Sequence, residues 1–405
     1  MAGPMIPYKY WIAKRRLEDI AIFPFVVLGR LLARLRPLDR EYRVFFFFPF
    51  YHTGGAEKVH AQIAQAAGGA DCIVFFTRRS QSGTFRQAFA DSGCTIRDIS
   101  KWTDNKFLYF LNLTWRGILS GYINRQKQRP VVFQGHSNIA YKTSRWIRKD
   151  IRQVDLVHSL NTFSKIRIPF LAFYSDTVLI SRVKQAAHEE LYRSMGVPET
   201  YINRMRYIGN AVALPEREAA QKPEGTFTVL FSGRPGPEKR PELFIRIAKA
   251  AVEAMPEVRF RMMGAGAADF KDPDPGPVEL LGNLSDARQI QEVYWNSDVL
   301  LLTSETEGMP LVVPEAMGNG CAILATPVGD LPLHIRQETQ GMLFSSVTDE
   351  DRIVEEALAY LRSLHINPEL RKQIASENIA YANAHFSMAA FEASYRSLLT
   401  DRKRP

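Results

Sequence analysis

The chain has 405 residues, of which 46% are hydrophobic and 23% are charged. This composition excludes a disordered or fibrous protein, and the length fits roughly two or three domains. Charge is unevenly spread, because residues 1–210 hold 32 Lys and Arg against 15 Asp and Glu, whereas residues 211–405 hold 20 against 28. The first half therefore predicts either an anionic partner (a membrane surface, a phosphorylated lipid or a nucleic acid) or simply a basic solvated surface.

The first 41 residues mix aromatic, aliphatic and basic side chains. Their longest apolar run, residues 20–29, is far shorter than the roughly 20 residues that a membrane-spanning helix needs. Acidic Glu18 and Asp19 precede the run and no small-residue cleavage pattern follows it, which argues against a signal peptide. We expect residues 8–36 either to lie in a membrane interface or to pack as a helix on the protein itself.

Three cysteines are present, and their spacing matches neither a metal site nor a disulfide set. A reducing compartment is therefore expected. Together with the short apolar run, this predicts a cytoplasmic protein, attached peripherally to the inner face of the cell membrane if the first 41 residues bind lipid.

Short apolar runs alternate with helical patterns along the chain. Most runs are continuous, as is typical of parallel strands buried on both faces. The predicted strands are 43–50, 72–77, 131–134, 154–158, 178–181, 227–232, 258–263, 278–281, 299–302 and 322–325. The clearest helices are predicted at 57–67, 241–254 and 286–296. This alternation predicts an α/β protein with parallel sheets. We expect two Rossmann-like domains facing across a cleft, residues 1–212 and 226–380, joined by a polar linker at 213–225.

A glycine pair, Gly54 and Gly55, lies between the first predicted strand and the helix after it. Glycines there permit a tight turn and the close approach of a ligand to the backbone. The start of a helix also suits an anion or a sugar oxygen. An ordinary strand-to-helix turn explains the pair equally well.

Two cations follow the strand 227–232. Arg234 and Lys239 lie in a loop at its carboxyl end, where ligands bind in open α/β sheets. An Arg fork and a Lys point charge together suit a diphosphate. The alternative is a solvated basic loop.

Two carboxylates follow the strand 299–302. Glu307 lies in a loop and Glu315, eight residues later, lies in the helix that we expect to begin near 309–311. Carboxylates accept charge-assisted hydrogen bonds from sugar or ribose hydroxyls, and Gly308 allows close backbone approach. Alternatively, one of the two is an acidic residue in the first turn of a helix and the other is a glutamate on the protein surface.

The spacing of Glu307 and Glu315 resembles the E-x7-E motif of retaining GT-B glycosyltransferases. The run 304–329 is similar to family four of that class, the glycosyl transferases group 1. Further similarities are Gly233-Arg234 with Lys239, the glycine pair, and Gly264-Ala265-Gly266 after a strand. The resemblance covers about residues 42–400. It implies a nucleotide-sugar donor held mainly by the C-terminal domain, and a final helix, 381–405, that packs back on the N-terminal domain.

The resemblance also implies residue roles. Arg234 and Lys239 would neutralise the donor diphosphate, and Glu315 would bind the ribose. Glu307 would contact the transferred sugar. The remaining donor contacts implied are Gly55 at a phosphate, Asn283 near the base, and the backbone of Gly308, Met309, Pro310 and Leu311. Related enzymes often carry an N-domain histidine where this chain has Asn161. His158 and His136 are nearby substitutes, although neither matches cleanly and a core or hydrogen-bonding role is favoured for each.

We expect no metal requirement, since two cations and a helix start can stabilise charge on a leaving diphosphate. Asp272-Pro273-Asp274 resembles the D-x-D of metal-dependent glycosyltransferases but lies in a proline-rich loop that lacks their context. Gly264-Ala265-Gly266 lacks the third glycine of a dinucleotide fingerprint, which argues against NAD.

The predicted function is retaining transfer of a hexosyl or N-acetylhexosaminyl group from a nucleotide-sugar. The acceptor is expected to be a glycan or a lipid-linked molecule, in cell-surface polysaccharide or glycolipid synthesis. Two alternatives stay open: a nucleotide-sugar hydrolase, epimerase or phosphorylase on the same fold, and a catalytically silent sugar-nucleotide-binding protein. Nucleic-acid binding is disfavoured, because the second half is acidic and no recognised binding motif is present.

Overall fold

The computed structural model describes residues 6–105, 109–158, 162–216, 222, 225–266, 269, 275–284 and 286–400. The chain divides into two compact units, Met1–Gly209 with Phe391–Pro405, and Asn210–Ala390. The predicted linker lies partly outside the described residues, and the domain limits proposed from the sequence stay predictions.

The first unit contains a parallel sheet of seven strands. The strands are β1 (Val44–Phe48), β2 (Cys72–Phe76), β3 (Thr95–Asp98), β4 (Val131–Gly135), β5 (Arg152–Val157), β6 (Asp176–Leu179) and β7 (Met205–Tyr207). Their order is β3-β2-β1-β4-β5-β6-β7, and every neighbouring pair is parallel. Strand order reverses between β1 and β4, the kind of position at which open α/β sheets bind ligands.

Helices connect these strands. They are α1 (Tyr8–Leu35), α2 (Gly55–Ala67), α3 (Arg86–Asp91), α4 (Ser100–Thr103), α5 (Tyr109–Asn124), α6 (Asn138–Thr143), α7 (Thr162–Arg167), α8 (Arg182–Ser194) and α9 (Glu199–Ile202). None of the described helices is long and apolar enough to cross a membrane.

The second unit contains a parallel sheet of six strands. The strands are β8 (Thr228–Ser232), β9 (Arg259–Met263), β10 (Val278–Gly282), β11 (Val299–Leu302), β12 (Ala322–Ala325) and β13 (Gly341–Leu343). Their order is β10-β9-β8-β11-β12-β13, so strand order reverses between β8 and β11. The helices are α10 (Pro241–Ala254), α11 (Ala287–Trp295), α12 (Val312–Gly318), α13 (Leu331–His334), α14 (Glu350–Ile366) and α15 (Pro368–His385). The last helix, α16 (Met388–Thr400), belongs to the first unit from Phe391 onward.

The phenylalanine run in β1 is buried because β1 is the central strand of its sheet and is covered on both faces. Side chains alternate between the faces of a strand. Phe45 and Phe47 stack on Phe75 of β2 on one face, whereas Phe46 and Phe48 pack edge-to-face on Phe133 of β4 on the other. A continuous apolar run is therefore what this position in the sheet requires.

The predicted α/β fold with two Rossmann-like domains is confirmed, as are the ten predicted strands. Three strands were not predicted, namely β3, β7 and β13. Each lies at the edge of its sheet and carries partly exposed residues. An edge strand has a neighbour on one side only, so it need not be a continuous apolar run, and its sequence signal is weak.

The N-terminal segment forms α1 and packs closely on α5. Gly29 of α1 faces Gly117 of α5, and a Cβ built on Gly29 would lie 2.1 Å from the Thr114 carbonyl oxygen. A Cβ on Gly117 would lie 2.2 Å from the Val26 carbonyl oxygen. The two backbones are therefore nearly in contact, and only glycine fits at the crossing.

Gly29→Ala is expected to lower the free energy of unfolding by about 1–3 kcal/mol, because the new methyl group forces the two helices apart. The usual gain from replacing a helical glycine, about 1 kcal/mol, does not offset this. Urea unfolding followed by circular dichroism would measure the change. Gly83→Ala is the matched control, since a Cβ at Gly83 meets nothing within 4 Å. Equal stability of the two variants would contradict the packing argument.

Candidate functional site

The loop after β8 is tied to the end of β11 by its backbone. Residues Pro237–Lys239 form a short 3-10 turn, and Arg240 then adopts a left-handed conformation with φ 48°. The buried Thr303 hydroxyl donates to the carbonyls of Lys239 and Arg240, at 2.8 and 2.9 Å. In return, Arg240 Nε donates to the Thr303 carbonyl at 2.6 Å. The position of Lys239 therefore follows from the pairing of β8 with β11.

Lys239 and Glu307 form an ion pair at this point of the sheet. Lys239 Nζ contacts Glu307 Oε1, and Ser304 Oγ donates to the same oxygen at 2.8 Å. The Lys239 and Glu307 side chains are 26% and 10% exposed, and Ser304 is buried. A cation and a carboxylate thus lie together, largely screened from water, where strand order reverses.

The loop that carries Glu307 is clamped on its other side. The Thr326 hydroxyl donates to the Ser304 carbonyl at 2.5 Å, and the Asp330 amide donates to the Gly308 carbonyl at 2.8 Å. A Cβ on Gly329 would lie 2.1 Å from that same carbonyl oxygen, so the turn after β12 packs directly against the loop. These contacts hold the Glu307 backbone before any ligand is present.

Glu315 lies on α12 and is held by a buried tyrosine. Tyr294 Oη donates to Glu315 Oε2 at 3.0 Å and lies 2.9 Å from Ser232 Oγ at the end of β8. Burial raises the pKa of Tyr294 well above its usual value, so the hydroxyl stays protonated and can donate. Tyr294 and Ser232 were not predicted as site residues from the sequence, because a single tyrosine in an amphipathic helix is typical of a core position.

The donor backbone expected at Gly308–Leu311 needs one correction. Pro310 has no N–H and cannot donate a hydrogen bond, and α12 begins at Val312, after the range that we expected. Met309 and Pro310 are buried, and the Met309 carbonyl accepts from Asn210 Nδ2 at 3.4 Å. Of these four residues only Gly308, Met309 and Leu311 have an amide hydrogen.

Two other predicted site residues are exposed loop residues. Arg234 has no side-chain partner in the described part of the chain, and Asn283 lies after β10, two strands away from β8. Neither is joined to the Lys239–Glu307 pair by a described contact, so their roles stay predictions. Asp272 and Asp274 fall outside the described residues. Within the described ranges, no group of three or more His, Cys, Asp or Glu is arranged to hold a metal ion.

In the first unit, the glycine pair begins α2. A Cβ on Gly54 would lie 2.0 Å from Glu57 Oε2, so the glycine leaves room for that carboxylate to fold back over the first turn. Glu57 also lies 3.8 Å from His52 Nε2. A carboxylate near the positive N-terminal end of a helix is favourable, and at α2 this carboxylate is the side chain of Glu57.

Three histidines meet where strand order reverses in the first unit. His60 Nε2 lies 2.9 Å from His158 Nε2, and the His158 backbone amide donates to His136 Nε2 at 3.4 Å. His60 is buried and stacks on Phe48, with ring centroids 4.4 Å apart. Burial lowers the pKa of His158 to about 4 and lowers the pKa values of His60 and His136 well below their usual range. Asn161, the position matched to the family histidine, lies outside the described residues.

This fold is that of the GT-B glycosyltransferases. The structure of Anabaena Alr3699/HepE in complex with UDP and glucose superposes with a TM-score of 0.69 at 14% identity, over 89% of this chain and all of that one. At this identity the likeness shows the fold.

Sequence comparison then shows which proteins the chain is similar to. The sequence profile of the glycosyl transferases group 1 matches residues 226–363. The chain is similar to the D-inositol 3-phosphate glycosyltransferase of Segniliparus rotundus, 24% identical over 70% of each chain. It is 31% identical to the sulfoquinovosyl transferase SQD2 of Arabidopsis thaliana over 36% of this chain and 28% of that protein. The resemblance inferred from the motifs is confirmed.

The first unit should become less stable in mild acid. His158 is neutral when folded, with a pKa of about 4 against 6.5 in a free side chain. Between these values the unfolded chain binds more protons, so stability falls as pH drops from about 6.5 towards 4, by about 3 kcal/mol in total.

Urea midpoints measured at about pH 7 and pH 5 would test this. His158→Gln should show a smaller loss than the wild type. His365→Gln, which alters α14 in the second unit, should keep the wild-type dependence. An unchanged loss of stability in acid for His158→Gln would contradict the assignment of His158 as a neutral, partly buried histidine.

Proposed function

We propose that this protein is a retaining glycosyltransferase that moves a sugar from a nucleotide-sugar to a glycan or lipid-linked acceptor. One observation carries the proposal: the Lys239–Glu307 pair lies where strand order reverses, between β8 and β11, inside the domain that matches the glycosyl transferases group 1. In open α/β sheets this is the position at which ligands bind.

The donor is inferred to be a uridine diphosphate hexose. The similar HepE structure contains UDP and glucose, and the named relatives transfer glycosyl and sulfoquinovosyl groups. An N-acetylhexosamine donor is the second candidate to test. Cell-surface polysaccharide or glycolipid synthesis would consume such a transferred sugar.

Lys239 has a role that follows from its contacts. Its charge is paired with Glu307. A diphosphate carries more negative charge than one carboxylate, so it competes for Lys239 and frees Glu307 to accept a hydrogen bond from a sugar hydroxyl. Arg234, exposed and without a described side-chain partner, can supply a bidentate fork to the same phosphates.

The chemistry is then driven by charge. The bond from the anomeric carbon to the phosphate oxygen breaks, and negative charge grows on the departing diphosphate. Lys239 and Arg234 stabilise that charge more strongly in the transition state than in the bound donor. The acceptor oxygen bonds to the anomeric carbon from the face that the phosphate leaves, and a phosphate oxygen takes its proton. Because the cations are side chains, this scheme requires no metal.

Glu315 is proposed to bind the ribose hydroxyls. The Tyr294 hydroxyl holds the Glu315 carboxylate in place by a hydrogen bond to Oε2, and a carboxylate accepts charge-assisted hydrogen bonds from ribose hydroxyls. The acceptor is assigned to the first unit because that half of the chain is basic and rich in aromatic residues. A lipid-linked acceptor would place the enzyme at the cytoplasmic face of a membrane as a peripheral protein.

Product analysis separates the remaining alternatives. A nucleotide-sugar hydrolase would release free sugar without an acceptor, an epimerase would change the sugar while it stays on the nucleotide, and a silent binding protein would do neither. Incubation of labelled UDP-glucose and UDP-N-acetylglucosamine with membrane lipid extract should label the lipid or glycan fraction. A product with the anomeric configuration of the donor, formed equally well in EDTA, would support retaining, metal-independent transfer.

Lys239→Ala and Glu307→Gln should each lower kcat/KM by about 10²–10³-fold, the range found for losing one preorganised transition-state contact. Initial-rate kinetics with the active donor would measure this. Lys372→Ala is the matched control, because Lys372 is also paired with a glutamate, but on the surface of α15. Wild-type rates in both site variants would refute the assignment.

Tyr294→Phe should raise KM for the donor several-fold and leave kcat nearly unchanged, since it loosens a carboxylate that holds the nucleotide rather than the reacting bond. Tyr395→Phe is the control, because the Tyr395 hydroxyl is buried without a partner among the described residues. If Tyr294→Phe lowered kcat and left KM unchanged, or changed neither, Glu315 would not act at the ribose as proposed.

A further inference from the structure

We propose that the outer face of α1 docks on an anionic lipid bilayer. This docking involves the first unit alone and does not require the donor site. Most surface helices bury their large apolar side chains and expose their charges, whereas α1 exposes most of its large apolar side chains.

The inner face of α1 combines polar, small and a few apolar side chains. Arg15 Nη1 donates to the Pro169 carbonyl at 2.6 Å and lies 3.6 Å from Asp19, and Arg30 Nη2 donates to the Trp146 carbonyl at 2.8 Å. Gly29 makes the close crossing with α5. Polar bonds and backbone contact therefore anchor this helix on the domain, together with the buried Val26 and the partly buried Tyr8 and Trp11.

The outer face of α1 is apolar. Six large side chains recur at spacings of three or four residues and are 46–73% exposed: Leu17, Ile20, Phe23, Val27, Leu31 and Leu35. Phe110 of α5, 66% exposed, extends this surface through its ring contact with Phe25. Large apolar side chains exposed together in this way mark an interaction site.

The charges around the apolar face of α1 indicate which kind of partner binds it. Exposed basic residues flank both ends of the apolar stripe, Lys9, Lys14 and Arg16 before it and Arg34 and Arg36 after it. Exposed acidic charge along the helix is limited to Glu18, which lies 3.9 Å from Lys14. A second copy of α1 would bring like charges together, whereas an anionic headgroup layer attracts every one of them. The apolar stripe would lie in the acyl boundary and the basic ends among the headgroups, as interfacial helices do.

The geometry favours a helix that lies in the plane of the interface. Its 28 residues correspond to a length of about 42 Å, and no described helix meets the requirements of a membrane span. Anchored by its inner face, α1 would hold the first unit against the membrane.

Co-sedimentation of the full chain with vesicles tests the proposal. Binding is expected to vesicles of equal parts phosphatidylcholine and phosphatidylglycerol, to weaken as salt is raised, and to be much weaker with phosphatidylcholine alone. The double variant Ile20→Gln/Leu31→Gln should partition at least roughly tenfold less, because two large apolar contacts are lost. Both positions are exposed, so folding should be unaffected, which a thermal melt would verify.

Two controls separate this proposal from the proposed function. Ile366→Gln replaces an equally exposed isoleucine, 72% against 73% for Ile20, on α14 of the second unit, and should bind vesicles like the wild type. Lys239→Ala should also bind like the wild type while losing transferase activity. The proposal is overturned if the wild type ignores anionic vesicles at low salt or if the double variant binds equally well. It is also overturned if the chain is a dimer without lipid and the double variant is a monomer, since α1 would then pair with itself.

Discussion

The pairing of β8 with β11 is the constraint on which the candidate site depends. Lys239 and Glu307 are separated by 68 positions, yet they meet because two neighbouring parallel strands end at the same edge of the sheet. The reciprocal hydrogen bonds of Thr303 with Lys239 and Arg240 join the two loops. Burying a cation and a carboxylate separately would be costly, so each charge is stabilised by the other.

The Lys239–Glu307 pair is suited to a ligand that has both an anionic group for the lysine and hydroxyl groups for the glutamate. A nucleotide-sugar has an anionic diphosphate next to a sugar rich in hydroxyl groups. Such a molecule can satisfy Lys239 and Glu307 at the same time, so it can separate the pair without leaving either charge unpaired. Glu315 is also positioned by a hydrogen bond within the protein, which the Tyr294 hydroxyl donates to one of its carboxylate oxygens. Rigid loops and preformed hydrogen bonds reduce the reorganisation that catalysis would otherwise require.

The polar groups of the first unit have two different structural roles. His60, His136 and His158 form a neutral cluster where strand order reverses, whereas Arg15, Asp19 and Arg30 fasten α1 to the domain. Because those polar anchors hold part of the inner face, most of the leucines of α1, together with Ile20, are exposed. A helix built in this way is stable on the domain and still presents an apolar surface to a partner.

The sequence by itself determined the fold class, the ten interior or apolar strands and the family, because continuous apolar runs and the E-x7-E spacing are local signals. It also singled out Lys239, Glu307 and Glu315, since each lies in the loop or helix that follows a buried strand. It did not reveal β3, β7 and β13. These are edge strands with partly exposed residues, so they lack the continuous apolar run from which a strand is predicted. Only the tertiary structure decided that Lys239 pairs with Glu307, that Tyr294 and Ser232 support Glu315, and that α1 turns its large apolar residues outward. Those facts depend on which strands and helices become neighbours, and contacts between distant segments leave no periodic pattern in a single chain.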